Sequence, residues 1–173
     1  FRYNVASKEE SQVSLVEKEF SDFTGHKFAV GLNSCGSAIF LMLKCAGAQH
    51  GDKVLTNGFT FTALPSTIMR LGAEPVLVEA TKSWIMDLDD LEKKIAAFPD
   101  AKVLLLSHMR GKVADMDRVV EICEKNGITL VEDCAQDIED LGLGATSEFE
   151  GIHGKENADP REVIDSMKKP PKG

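Results

Sequence analysis

The segment Thr129–Gln136, TLVEDCAQ, ends an apolar run on Asp133 and brings the amide of Gln136 three residues later. A carboxylate at a strand's C-terminal mouth is a usual way for an α/β protein to hold a polar atom of a ligand. Asp133 could meet a cationic ring nitrogen or a metal, or cap the turn that follows; with no clustered His or Cys around it in sequence, a metal is the poorer choice. A second stretch, Asn33-Ser34-Cys35-Gly36-Ser37, puts two hydroxyls and a glycine ahead of an apolar helix. The free N–H groups of a first helical turn and these hydroxyls make a cup for a phosphate, although Ser and Gly serve as plain structural caps in the same place. In the third, Phe59-Thr60-Phe61-Thr62, an extended chain puts both rings on one side, where one could stack on a flat ligand or join the core. Phosphate cup, aromatic face and carboxylate together describe a flat, phosphorylated, cationic ring, and pyridoxal 5'-phosphate has those features.

These residues need strands and helices to bring them together. Five short, nearly continuous apolar runs, Phe28–Leu32, Val54–Thr56, Pro75–Glu79, Val103–Ser107 and Ile128–Glu132, read as strands buried on both faces. Helical patterns lie before and between them. Ser7–Phe23 places Val13, Val16, Phe20 and Phe23 on one face, and Ser37–Ala46 is apolar all round and expected to be buried. Pro65–Leu71 carries its proline in the first turn, Asp87–Ala97 opens on a capping aspartate, and Asp115–Asn126 stops at Gly127. The alternation predicts an α/β fold: a doubly wound, mostly parallel sheet with helices on both faces and ligands beyond the carboxyl ends of the strands. Asn33–Ser37, Asn57–Thr62, Ser107–Gly111 and Asp133–Gln136 then share one rim.

The 173 residues suffice for one domain, here 1–136, followed by a divergent, acidic and loosely ordered tail over 137–173 with one short helix around Val163, Ile164 and Met167 and no packed extension of the sheet. A formal charge of −8, without a long basic cluster, argues against nucleic acid and anionic membranes as partners. Neither a membrane span nor a secretory h-region is legible, and four cysteines without C-x-x-C spacing read as reduced thiols of a cytoplasmic protein.

From about Phe20 to Gln136 the chain resembles the DegT/StrS family of sugar aminotransferases, a branch of the fold type I pyridoxal-phosphate enzymes. The resemblance rests on GHKFAVGLNSCGSAIFLML, GDKVLTNGFTFTALPSTI, LGAEPVLVEA, the SHMRG strand exit and ADMDRVVEICEKNGITLVEDCAQ, in that order and spacing. It implies that Gly36 and Ser37 hold the cofactor phosphate, that Phe61 stacks on the pyridine ring, that Asp133 pairs with the ring nitrogen and keeps it protonated, and that Gln136 contacts the 3-hydroxyl side. Many members have Gly-Thr where this chain reads Cys35-Gly36, one hydroxyl fewer in the cup.

The family's lysine, which bonds to the cofactor and moves the substrate's proton, comes from a Ser-Phe-x-x-x-Lys-like segment. It should fall near Arg161, where the chain reads NADPREVIDS; Lys155 and Lys168 lie nearby without the motif. The family's small C-terminal domain has no counterpart either. The resemblance thus implies an aminotransferase acting on a nucleotide-linked keto sugar with an amino donor, working as a homodimer, with this chain read as a truncated portion, impaired or inactive as it stands. The alternative is a non-catalytic cofactor-binding or subunit-interaction module that pairs with a full-length subunit. A nucleotide-binding domain is disfavoured, since neither G-x-G-x-x-G nor a Walker lysine is present.

His108 and Arg110 occupy a strand exit expected to face the crevice, where Arg110 could meet a phosphate or carboxylate or form a structural ion pair. His26 and His50 read as surface residues. Cys35 and Cys134 are expected near each other as small buried hydrophobes.

Overall fold

The computed structural model describes residues 11–135 and the strand Glu150–His153. The chain divides into two compact units, one of residues 1–33 with 159–173 and one of residues 34–158.

In the first unit, helix α1 (Gln12–Thr24) starts where the Ser11 side chain accepts from Ser14 N–H and ends at Gly25, whose left-handed φ of 73° lets its N–H reach Ser21 O. The expected apolar face is there in sequence, yet Val16 and Phe23 are 62% and 71% exposed. Phe28–Leu32 differs from expectation more sharply: it forms no strand. It lies against α1, with Gly31 N–H donating to Glu17 Oε1 at 2.9 Å and the Gly31 Cβ position 3.2 Å from Val13 Cγ1. An apolar run becomes a strand only where a neighbouring strand takes up its N–H and C=O groups, and here a helix side chain takes one of them.

The second unit is built on five strands: β1 (Lys53–Asn57), β2 (Glu74–Val78), β3 (Val103–Ser107), β4 (Thr129–Asp133) and β5 (Glu150–His153). Their order is β2-β1-β3-β4-β5, with the first four parallel and β5 antiparallel to β4. No strand is expected at β5 from its residues, since EGIH carries a glycine and two polar groups and lacks the apolar signature of a covered strand. Backbone pairing from Leu130↔His153 to Asp133↔Glu150 makes it one all the same. The helix expected around Val163–Met167 lies outside the described residues.

Helices α2 (Cys35–Cys45), α3 (Ala63–Arg70), α4 (Leu88–Ala97) and α5 (Met116–Asn126) alternate with the strands. Side chains alternate along each strand, so the sheet feeds two cores. Val54, Leu105 and Val131 pack with Ile39 and Leu43 of α2 and Leu64 and Ile68 of α3. Leu55, Leu104, Leu106 and Leu130 pack with Leu91 and Ile95 of α4 and Val119 and Ile122 of α5. β3 is buried at every position, as the run VLLLS requires. Helix α2 is less buried than its all-round apolar sequence suggests, with only Ile39 and Leu43 fully covered. β2 also departs from the expectation of two covered faces: Leu77 is 49% exposed, because β2 is the edge strand, where Pro75 is tolerated without its N–H.

Local chemistry sets the helix ends. Asp87 accepts from Asp89 and Asp90 N–H at the start of α4, Asp115 accepts from Arg118 N–H at the start of α5, and Gly127 closes α5 at φ 64°. Across the two helices Arg118 Nη2 donates to Asp89 Oδ1 at 2.5 Å and Glu92 Oε2 at 3.1 Å, and the first of these hydrogen bonds holds the Asp89 carboxyl below its ordinary range. Both acids are exposed, so the pairs add little to stability.

Candidate functional site at the strand exits

The carboxyl ends of β1, β3 and β4 are tied together by three polar residues. Asn57, the last residue of β1, donates through Nδ2 to Ser107 O at 3.0 Å and accepts at Oδ1 from Ser107 N–H at 2.8 Å. A side-chain amide thereby continues the ladder one step beyond the Thr56↔Leu105 pair. Ser107 and Asp133 are register partners, and Ser107 Oγ donates to Asp133 Oδ2 at 2.8 Å. The other carboxylate oxygen accepts from Ala135 N–H at 3.2 Å, and Asp133 O accepts from His108 N–H at 3.1 Å. Asp133 is therefore the final residue of β4 itself, only 6% exposed and fixed in orientation.

Asp133 follows Val131 by two residues and shares its sheet face, the one covered by α2 and α3. Helix α2 brings its N-terminus with it. Ser34 accepts from Ser37 N–H at 3.2 Å and donates to Ser37 Oγ at 2.9 Å, while Ser34 O takes the N–H groups of Ser37 and Ala38. That capping leaves the N–H of Gly36 uncommitted, with no acidic side chain in the first turn to compete for an anion. A Cβ added at Gly36 would meet nothing within 4 Å, so the space above this turn is open.

The third element is the exit of β1. Gly58 N–H donates to Val78 O at 2.7 Å, and a Cβ there would lie 2.9 Å from the same oxygen, so only glycine lets the chain pass so close to β2. The backbone bends through Gly58–Thr60, so the extended geometry expected to align the two rings is absent. Phe59 instead packs on Trp84 with centroids 4.7 Å apart, and Phe61 is left 66% exposed just ahead of α3. Two hydroxyls near this exit, Thr56 Oγ1 and Thr60 Oγ1, are buried without a hydrogen-bond partner.

His108 does not face this crevice. Its ring, 3% exposed, puts Nε2 3.0 Å from Glu132 Oε2, and Glu132 shares the sheet face of Leu130, opposite to Asp133. Arg110 is exposed, in the left-handed region at φ 59° within the turn Met109–Gly111. His26 and His50 are exposed, as expected. Cys35 and Cys134 are half-buried and in no disulfide; burial raises the Cys45 thiol and pushes Cys123 up to about 11. Gln136, Lys155, Arg161 and Lys168 lie outside the described residues. Asn57 and Ser107, which position Asp133, were visible in sequence only as polar residues ending the apolar runs KVLTN and VLLLS.

Residues 4–148 match the family model of the DegT/DnrJ/EryC1/StrS aminotransferase family. The chain belongs to this family. It is 36% identical over 124 residues to the spore coat polysaccharide biosynthesis protein SpsC of Bacillus subtilis (strain 168), covering 72% of this chain and 32% of that one. It is 31% identical over 131 residues to a GDP-perosamine synthase of Caulobacter vibrioides, covering 75% and 33%. Among solved structures, S. venezuelae DesV superposes with a TM-score of 0.69 at 34% identity over 73% of this chain and 34% of DesV. The pyridoxal-phosphate form of the putative sugar aminotransferase Spr1654 from Streptococcus pneumoniae superposes with a TM-score of 0.67 at 30% identity, covering 72% and 36%. The chain thus spans about a third of the length of these relatives, and its sheet and helices are those of the large domain of fold type I pyridoxal-phosphate enzymes. Among the described residues no helix is long and apolar enough to cross a membrane.

Proposed function

We propose that the crevice between the N-terminus of α2, Phe61 and Asp133 holds pyridoxal 5'-phosphate, and that the chain contributes this site to an aminotransferase acting on a nucleotide-linked keto sugar. The observation that carries the reading is Asp133, a buried carboxylate fixed at the end of β4 by Ser107 and facing the side of the sheet on which α2 opens. The residues present suit the cofactor: open space over Gly36, an exposed ring at Phe61, and two orphaned hydroxyls at the exit of β1. Gly36 N–H and the Ser37 hydroxyl would receive the phosphate, Phe61 would cover one ring face, Asp133 would accept the ring N–H, and Gln136 would contact the 3-hydroxyl side. When bound, the cofactor supplies an electron sink through its protonated ring nitrogen.

Asp133 can keep that nitrogen protonated, while Ser107 keeps Asp133 from turning away. The stretch NADPREVIDS, where the family's lysine-bearing segment is expected, does not carry a Ser-Phe-x-x-x-Lys pattern, so the reading assigns these residues binding of the cofactor and not covalent attachment to it. The same observation favours a second reading, a non-catalytic cofactor-binding module paired with a full-length subunit or with another copy of this chain. Four cysteines outside any disulfide suit a reducing, cytoplasmic setting.

Borohydride reduction of the protein with pyridoxal phosphate, followed by peptide mapping, separates the two readings. Reversible binding without a modified lysine supports the module, and an adduct on one specific lysine supports a competent enzyme. No binding at all would remove the site.

A further inference from the structure

We infer that His108, Glu132 and Cys134 form a binding site for a divalent cation of the zinc class on the sheet face opposite to Asp133. One ring nitrogen of His108, a carboxylate oxygen of Glu132 and the Sγ of Cys134 all lie within 4.8 Å of one another. Bonds of about 2.1 Å to nitrogen and oxygen and about 2.3 Å to sulfur in a tetrahedral site place ligand atoms roughly 3.4–3.6 Å apart. The 3.0 Å separation of His108 Nε2 and Glu132 Oε2 is already on that scale, and closing the rest needs side-chain shifts of about 1 Å.

The chemistry of the set fits as well. A neutral imidazole, a carboxylate and a thiolate carry two negative charges and neutralise a divalent ion, so the low-dielectric strand exit would hold no net charge. On binding, the Cys134 thiol releases its proton to solvent and its sulfur donates the electron pair. Imidazole with thiolate selects zinc-class ions over magnesium or calcium. Three protein ligands leave a fourth position for water.

The His108 ring is held in place for this role: it is 3% exposed, and its Nε2 lies beside the Glu132 carboxylate. Nε2 is the nitrogen that would bind the ion, with the neutral ring carrying its proton on Nδ1 and leaving the Nε2 lone pair for the metal. The site would tie the exit of β3 to the exit of β4, behind the residues that orient Asp133, yet it uses none of them.

The test uses the full chain, reduced, stripped with a chelator and free of pyridoxal phosphate, titrated with Co²⁺. One equivalent should give tetrahedral cobalt bands in the visible and a thiolate-to-cobalt band in the near ultraviolet, both removed by Zn²⁺. Cys134→Ser should abolish the near-ultraviolet band and weaken binding at least about 100-fold, since loss of outer partners alone costs 10–100-fold. Glu132→Gln should weaken binding with the band retained, and Cys35→Ser, Cys45→Ser and Asp133→Asn should leave the spectrum unchanged. No saturable cobalt spectrum from the unsubstituted chain would show that His108 and Glu132 form a structural pair only and would overturn the proposal. A near-ultraviolet band that survives Cys134→Ser would overturn it too.

Discussion

Asp133 is oriented by the Ser107 hydroxyl on one carboxylate oxygen and Ala135 N–H on the other. Ser107 Oγ donates to it at 2.8 Å inside a buried strand exit, and a hydrogen bond to a charged group contributes about 1.5–3 kcal/mol. Ser107→Ala should therefore lower unfolding free energy in urea by about that amount and weaken pyridoxal-phosphate binding, although Ser107 itself need not touch the cofactor. Burial acts in the opposite sense on Cys123, whose thiol is pushed up to about 11. Below the ordinary thiol range both folded and unfolded chains hold the proton, and the group has no effect on stability. As pH rises from that range toward 11, the unfolded chain ionises first. Stability should then fall by about 1.4 kcal/mol per pH unit from this group. Urea melts of the protein and of Cys123→Ala across this range measure the difference, and identical slopes would contradict the assignment. At this scale the sequence was informative where a residue's role follows from its strand position, as with Asp133. It pointed His108 toward the crevice and Cys134 toward Cys35 and did not join either to Glu132, because 24 residues separate His108 from Glu132 and only the β3–β4 register brings them together.

Among the elements, those flanked by strong local signals followed their patterns: Asp87 and Asp115 cap α4 and α5, and Gly127 ends α5, as their types require. Phe28–Leu32 has the same apolar look as β3 but no ladder among the described residues, and apolarity alone cannot supply one. β5 is the converse case, a strand made by backbone pairing with β4 from a segment without an apolar pattern. The β1 exit depends on Gly58, whose Cβ position sits 2.9 Å from Val78 O. Backbone cannot yield as a flexible side chain would, so Gly58→Ala should cost about 1–3 kcal/mol and displace Phe61. A thermal melt matching the unsubstituted protein would show that β1 and β2 can separate there.

The whole second unit is a sheet with a core on each face, and β3 anchors both. Leu105→Ala removes a fully buried side chain from the α2–α3 core and should cost about 2–5 kcal/mol in chemical denaturation. Because α2 carries the Gly36–Ser37 turn, the same change should also loosen the phosphate end of the crevice. The overall α/β architecture was readable because strand and helix periods differ and repeat in alternation, whereas the bend after Gly58 was not, since it arises from the approach of β1's exit to Val78. In the proposed site Asp133, fixed by Ser107, would hold the ring nitrogen of pyridoxal phosphate. Equilibrium titration of the protein and of Asp133→Ala with pyridoxal phosphate, followed by the cofactor's absorbance, tests it most directly. Saturable binding that weakens at least about 10-fold, roughly 1.4 kcal/mol, on loss of the carboxylate is the expected result; no saturable binding, or equal affinity in the two proteins, would contradict it.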